Sequence, residues 1–419
     1  MANKIYAALE IADQEIRVVV AEEYNSRFNI IKIERYKTIY KIANKIIDED
    51  ALSADVKQAV LNCSKAIKAP IQAVILLLPS QKFKRIPAKV SVEINQFVTS
   101  DDIKTAFDKA YNVKTDDKLV VIDVMPKEFS IGSNIYDSAP LNKKASVLWC
   151  KMNCLAISRD VAYEYARIIE KANLRVMDVI LDNLALTTEI NILGNARNKN
   201  VIIINVEDNF TSLSLLANSS LLSTELISPG LNKLYSALRS EYNIKEEACK
   251  KLVMYNSSFE NDNVSNDPIY VWDYGDVTHS ISLKDLMNTI KVPLESVVEE
   301  IKDMCQAIIE SNTTEIVLAG SGAEINGIEF VFEDIINVAV SKYTPSTLGA
   351  RSGDLSAILG SLLVYKDYDR FYDKQDVSVD LDIYQDSLET SRSQEVNVSF
   401  TNRLKKILVD SKREVEVNE

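Results

Sequence analysis

Two stretches of this chain open with the same signal, three strand-like segments in succession, and no other feature limits its fold as strongly. In the first, residues 5–11 and 16–22 read as a hairpin about the turn Ala12-Asp13-Gln14-Glu15, and 28–36 as a third strand. A helical spacing over 50–66 (Leu52, Val56, Val60, Leu61, Cys63) and the apolar run 73–78 follow. The second triplet comprises 201–206, 211–217 and 221–227, with a helical pattern over 231–242 behind it. Strands of this kind need helices to cover the sheet they form. The repeat therefore predicts two α/β units with related strand order. A length of 419 residues, too great for one ordinary core, agrees.

Between the repeats, residues 82–159 change character. Short strand patterns at 83–92, 118–126, 128–133 and 146–157 surround one helix at 100–110, which opens on the capping sequence Thr99-Ser100-Asp101-Asp102. This reads as a small separate α+β module. Helices are predicted over 160–172 and 183–193, with a strand at 176–181 between them. After the second triplet, 245–254 follows the helix 231–242, and 256–268 is polar and turn-rich, a surface loop. The stretch 283–311 reads as long helical packing broken at Val292-Pro293. A buried strand at 315–319 and a last helix at 355–366 complete the pattern.

Composition excludes several chemistries. The single histidine, His279, and five scattered cysteines (Cys63, Cys150, Cys154, Cys249, Cys305) do not supply a four-ligand zinc site or most Ser-His or Cys-His catalysis, so no metal is expected. The thiols are expected to be reduced and structural. A net charge of −13 argues against a nucleic-acid partner. No run approaches the roughly 18 apolar residues of a membrane span. Met1-Ala2-Asn3-Lys4 leads into a strand without a secretory signal, so a cytoplasmic protein is expected. Glycine is scarce: 10 residues, against roughly 29 at a typical usage of about 7%. Gly320, Gly322, Gly327, Gly349, Gly353 and Gly360 cluster near the C-terminal end. Glycine lets backbone N–H groups approach a phosphate, and outside that cluster the chain has almost no such loops.

The segment Ile316-Val317-Leu318-Ala319-Gly320-Ser321-Gly322-Ala323, with Asn326-Gly327 after it, resembles the adenosine segment of the FtsA family of actin-like cell-division proteins. Glu225-Leu226-Ile227-Ser228-Pro229-Gly230, Lys245-Glu246-Glu247-Ala248-Cys249-Lys250-Lys251 and Leu355-Ser356-Ala357-Ile358-Leu359-Gly360-Ser361-Leu362-Leu363 resemble that family in order and spacing. The likeness covers roughly 1–368 and the extreme C-terminus. It implies an α/β, actin-like fold of the actin/sugar-kinase clan, two-lobed, with duplicated βββαβα cores and an FtsA-type extra α+β subdomain at 82–159. The first lobe would then be 1–81, completed by 160–197 and 341–368. The second would have its core at 198–227 and 303–340 and a helical subdomain at 228–302. Gly320, Ser321, Gly322, Gly230, Glu246 and Lys250 become candidates for a nucleotide cleft holding ATP and magnesium. The resemblance also implies self-association into protofilaments and binding of the C-terminal tail of the tubulin-like protein FtsZ on 228–302. Lys233, Arg239, Lys250 and Lys251 are basic candidates for that acidic peptide. PilM, a pilus-assembly relative of the same architecture, is the rival resemblance.

The departures from the family pattern matter as much. Where its first phosphate loop has an Asp and a Gly- and Thr-rich turn, this chain has Glu10-Ile11-Ala12-Asp13-Gln14-Glu15. The second loop reads Asn205-Val206-Glu207-Asp208-Asn209-Phe210-Thr211-Ser212. A carboxylate about 4 Å from a phosphate charge costs near 4 kcal/mol at an effective dielectric of about 20. Asn205 replaces the family's Asp at the position of metal-bound water. No catalytic residue is assigned, and a pseudo-ATPase is expected.

The C-terminal stretch loses apolar periodicity. Residues 366–397 carry nine acids and four bases, and 369–397 reads as a disordered linker. Beyond it, Phe400, Leu404, Ile407 and Leu408 share one helical face, with Arg403, Lys405 and Lys406 flanking or opposing it. A basic amphipathic helix over 398–413 is the pattern of an interfacial membrane anchor, and the resemblance implies a chain held peripherally on the cytoplasmic membrane surface at the division site.

Overall fold

The computed structural model describes residues 4–25, 27–42, 45–190, 199–217, 220–228, 230–260, 265–275, 277–311, 313–372 and 376–386. The first lobe starts with a meander of β1 (Lys4–Ala12), β2 (Glu15–Tyr24) and β3 (Arg27–Lys37), then a small ribbon of β4 (Lys41–Ile42) and β5 (Lys45–Ile46). Helix α1 (Glu49–Ile67) follows because extended Asp48 caps it, accepting bonds from the Asp50 and Ala51 amides. It buries Leu52, Val56, Ala59, Val60 and Cys63. Strand β6 (Ala73–Leu78) is buried along its whole length and runs parallel to β1, which is why its sequence is continuously apolar.

The inserted module consists of β7 (Lys84–Phe97), α2 (Ser100–Tyr111), β8 (Leu119–Ile131), β9 (Asn134–Tyr136) and β10 (Lys144–Ser158), in sheet order β7-β10-β8-β9. Thr99 and Asp102 form the reciprocal capping box that starts α2. The helix packs Ile103 and Phe107 with Val92, Phe129, Leu148 and Cys150 in a core of its own. The two strands predicted at 118–126 and 128–133 are one. Pro126, read as a boundary, is absorbed where the register of β8 against β10 shifts beside Met152.

Helix α3 (Arg159–Lys171), strand β11 (Arg175–Leu181) and helix α4 (Asp182–Glu189) return to the first lobe, whose sheet has the order β11-β6-β1-β2-β3. The second lobe repeats this plan. Strands β12 (Asn200–Val206), β13 (Thr211–Ala217) and β14 (Ser220–Ile227) form its meander. Then come α5 (Asn232–Tyr242), α6 (Glu246–Asn256), a hairpin of β15 (Pro268–Tyr274) and β16 (Val277–Ser282), and α7 (Leu283–Ser311). Strand β17 (Thr314–Ala319), helix α8 (Ile328–Ile336) and strand β18 (Val340–Lys342) close the lobe. Its sheet, β14-β13-β12-β17-β18, matches the first strand for strand, with β18 in the place of β11. Helix α9 (Ser356–Tyr372) then crosses back and packs Leu359, Leu362 and Tyr365 beneath β1 and β6.

Two further features depart from the sequence reading. Helix α7 is not broken at Val292-Pro293: it runs 29 residues with Pro293 inside. Leu286, Ile290, Leu294, Val297, Val298 and Ile301 bury one continuous face, which outweighs the hydrogen bond that proline removes. The linker assigned to 369–397 also begins differently. Residues 369–372 belong to α9, and 376–386 return to the first lobe as a strap. The Ser378 amide donates to the Ile5 carbonyl at 2.9 Å, and its carbonyl accepts from Gln72 at 3.0 Å. Its Oγ accepts from the Ala7 amide at 2.7 Å. Val379 is buried against the core, and Asp376 pairs with Arg175 at 3.1 Å. Replacing Ser378 with alanine leaves the buried Ala7 amide without its acceptor and should cost about 1–3 kcal/mol, read as a lowered unfolding midpoint of the full chain.

Candidate functional site

The hairpin register of the first lobe places Glu10 of β1 opposite Arg17 of β2, and Arg17 opposite Arg35 of β3. The three side chains thus form a row across the strands, at the end of the sheet facing the second lobe. Arg17 donates through Nε to Glu15 at 2.8 Å and through Nη1 to Glu10 at 3.3 Å and the Asp354 carbonyl at 2.9 Å. Arg35 grips Asp354 with two nitrogens, one of them 2.8 Å from Oδ1, and reaches Glu15 at 3.2 Å. Burial would raise the Asp354 pKa, but the Arg35 hydrogen bond and the charges of both guanidiniums more than offset it and hold the carboxyl below its usual range.

Behind this row the first lobe contributes Asp182 at the start of α4, which accepts from the Ser80 amide at 2.9 Å and from the Ser80 hydroxyl. Lys41 of β4 is 5% exposed and borders the same space. Burial lowers its pKa, only partly offset by Asp13, Glu10 and Asp182. From the second lobe, the β12–β13 turn brings Glu207 and Asp208. Glu207 accepts from the Ser321 hydroxyl at 3.3 Å; Asp208 pairs with Lys250 and accepts from Tyr235 at 3.0 Å. Together these elements enclose a cleft of about 530 Å³ between the lobes.

Of the six candidates for the nucleotide cleft, Ser321, Glu246 and Lys250 line it, as do the acidic turns 10–15 and 207–210. Glu246 also meets Arg239 at 3.3 Å. Gly320, Gly322 and Gly230 pack closely against the β12–β13 turn. A Cβ on Gly320, which has φ +81°, would lie 2.5 Å from Asn205 Oδ1 and 2.6 Å from the Val206 carbonyl. One on Gly322 would meet Val206 Cγ1 at 2.5 Å, and one on Gly230 the Glu207 carbonyl at 2.5 Å. The 320–322 turn is seated directly against the β12–β13 turn. The membrane candidates Phe400, Arg403, Leu404, Lys405, Lys406, Ile407 and Leu408 lie outside the described residues. Arg17, Arg35, Lys41, Asp182 and Asp354 were missed, although the Glu10–Arg17 pair could have been found by counting outward from the 12–15 turn.

This donor set does not fit a nucleotide polyphosphate. Nine Asp and Glu residues line the cleft, against five Lys and Arg. The guanidinium best placed to meet a phosphate, that of Arg17, is already held by three carboxylates. Among the described residues no group of three or more His, Cys, Asp or Glu is arranged to hold a metal ion. The excess of buried carboxyls has a consequence for stability. Glu207 is pushed up to about 8 in the folded chain, well above its value when unfolded. Between those two values the folded state holds the extra proton, so stability should fall as pH rises from about 4.5 to about 8. Thermal midpoints across that range should flatten in Glu207→Gln.

No family model matches the chain. It is similar to the cell division protein FtsA of Bacillus subtilis, 20% identical over 83% of this chain and 80% of that one. Among solved structures it resembles the chain of a PilM-PilN type IV pilus biogenesis complex (TM-score 0.56, 12% identity), covering 86% of this chain and 98% of that one. It also resembles MreB5 of Spiroplasma citri in its ADP-bound crystal structure (TM-score 0.52, 13% identity), over 88% and 99%. The chain is thus similar to FtsA proteins along most of its sequence and has the actin-like fold in two duplicated lobes.

Proposed function

We propose that the chain is a cell-division adaptor that ties FtsZ filaments to the inner face of the cytoplasmic membrane and self-assembles in actin-like fashion. The observation that carries this reading is the FtsA likeness over 83% of the chain. FtsZ would dock through its C-terminal tail on the helical part of the second lobe. There Lys251 is exposed, whereas Lys233 donates to Ser296 at 2.8 Å, Arg239 meets Glu246 and Lys250 meets Asp208. The membrane contact would be made by Phe400, Leu404, Ile407 and Leu408 with Arg403, Lys405 and Lys406. So short a segment binds weakly alone, and assembly multiplies it through effective concentration. ATP turnover has no part in this reading: the chain is a pseudo-ATPase whose cleft carries carboxylates where a polyphosphate would lie.

The test is co-sedimentation of FtsZ with anionic liposomes, comparing the full chain with one ending at Asn397. Full-length protein should carry FtsZ down and the shortened chain should not. If neither does, the adaptor reading fails and a PilM-like platform replaces it. ATP hydrolysis abolished by changing Glu10 or Asn205 would overturn the pseudo-ATPase assignment.

A further inference from the structure

The short turn Ser352-Gly353-Asp354, at the start of α9, touches both lobes. On one side, the Asp354 carboxylate is held by Arg17 and Arg35 of the first lobe's sheet. On the other, the Gly353 amide donates to Glu324 Oε1 at 2.5 Å, and the Ser352 hydroxyl reaches the same oxygen at 3.2 Å. Glu324 closes the short 3-10 turn after Gly320 in the second lobe. The fit there leaves no slack: a Cβ on Gly353 would lie 2.2 Å from the Gly320 carbonyl oxygen. Other contacts among the described residues also join the lobes: Tyr343 donates to Glu189 Oε1 at 2.9 Å, and Val201, Ile203, Val317 and Ala319 share an apolar core with the first lobe. Thr224 donates to the Ser80 carbonyl at 2.7 Å, and Ser212 to Asn183 at 3.3 Å. Lys37 and Glu247 approach to 3.5 Å across the mouth, but both are more than four-fifths exposed, so their attraction is small. The Asp354 side chain is only 10% exposed and the Arg17 side chain 13%, so their pairing is little screened.

We propose that this chain closes its own interlobe cleft: Asp354, gripped by Arg17 and Arg35 and seated on Gly320 through Gly353, holds the two lobes in fixed relation without a ligand between them. The clasp itself lines the cleft. It accounts for the poor match to a polyphosphate, because Arg17 and Arg35, which line the cleft, are committed to the protein's own carboxylates. The inference concerns the cleft alone and does not depend on the tethering role.

Hydrogen exchange on the full chain tests it, following the turns 11–15, 205–210 and 320–324 with α1 and α7 as references. In the wild type, saturating Mg-ATP should leave exchange in these turns unchanged. Asp354→Asn keeps the shape and removes the charge, and should speed exchange in all three turns by about tenfold or more while the references stay as they were. Arg35→Lys, which keeps a charge but loses the two-nitrogen grip, should give a smaller rise in the same turns and serves if Asp354→Asn does not fold. Tenfold protection of the wild-type turns by Mg-ATP would overturn the proposal. So would wild-type exchange in both variants, or an equal rise over α1 and α7.

Discussion

Replacing Arg17 with methionine should destabilise the first lobe by about 3–5 kcal/mol, because it strands buried carboxylates rather than removing a single favourable contact. The guanidinium lies against Glu10 and Glu15 and against both the carbonyl and the carboxylate of Asp354, with Glu207 within electrostatic reach. Burial opposes its charge, yet these carboxylates win and raise its pKa well above the ordinary arginine value. Methionine fills similar volume, so the loss reads out charge rather than packing. Thermal unfolding should show an early transition moved down by many degrees, and acidification should restore part of the loss by protonating the stranded groups. An unchanged midpoint would mean that water already satisfies the row.

A comparable loss is expected from Gly360→Ala, for a purely steric reason. Helices α4 and α9 cross so closely at this point that an added Cβ would lie 1.9 Å from the Ala185 carbonyl oxygen and 2.5 Å from its carbon. Backbone cannot swing aside as a side-chain tip can, so α9 would have to lift. It would take Leu359, Leu362 and Tyr365 partly out of the core under β1 and β6. Overpacking commonly costs 1–3 kcal/mol, and a clash with backbone belongs at or above the top of that range. Gly132→Ala is the contrast: nothing lies within 4 Å of its Cβ, and only its φ of +60° opposes the change, at a cost of roughly 1–2 kcal/mol. Thermal midpoints of the two variants should differ clearly; equal midpoints would show that α9 lifts without penalty.

Much of the scaffold is legible because its signals are local. Asp48 and Thr99 announce α1 and α2, β6 is one unbroken apolar run, and the repeated meander fixes the order of both sheets. The hairpin β15–β16 escaped detection because its second strand, Val-Thr-His-Ser-Ile-Ser, is mostly polar and largely exposed. What shapes that hairpin is the stacking of Tyr270 on Trp272 and of Trp272 on His279, which needs the register to be known first. The strap at 376–386 is hidden by its acidic surroundings; two buried residues, Ser378 and Val379, suffice because the ends of β1 and β6 offer unpaired backbone groups. Within the cleft the acidic turns are visible in sequence, but Asp354 is 337 positions from Arg17 and no local pattern joins them.

The strap also sets a mooring length. It fastens the chain beside Ile5 and Ala7, whereas the cleft lies at the other end of β1, beyond Glu10. Fourteen positions separate Asp386 from Phe400, and that many residues span at most roughly 50 Å when fully drawn out. If lipid contact is made at Phe400 and beyond, as proposed, the strapped end of the first lobe would stand no farther than this from the bilayer. On that proposal a taut tail would turn that end toward the lipid and the cleft away from it, so the attachment point would bias which face a membrane-bound assembly presents.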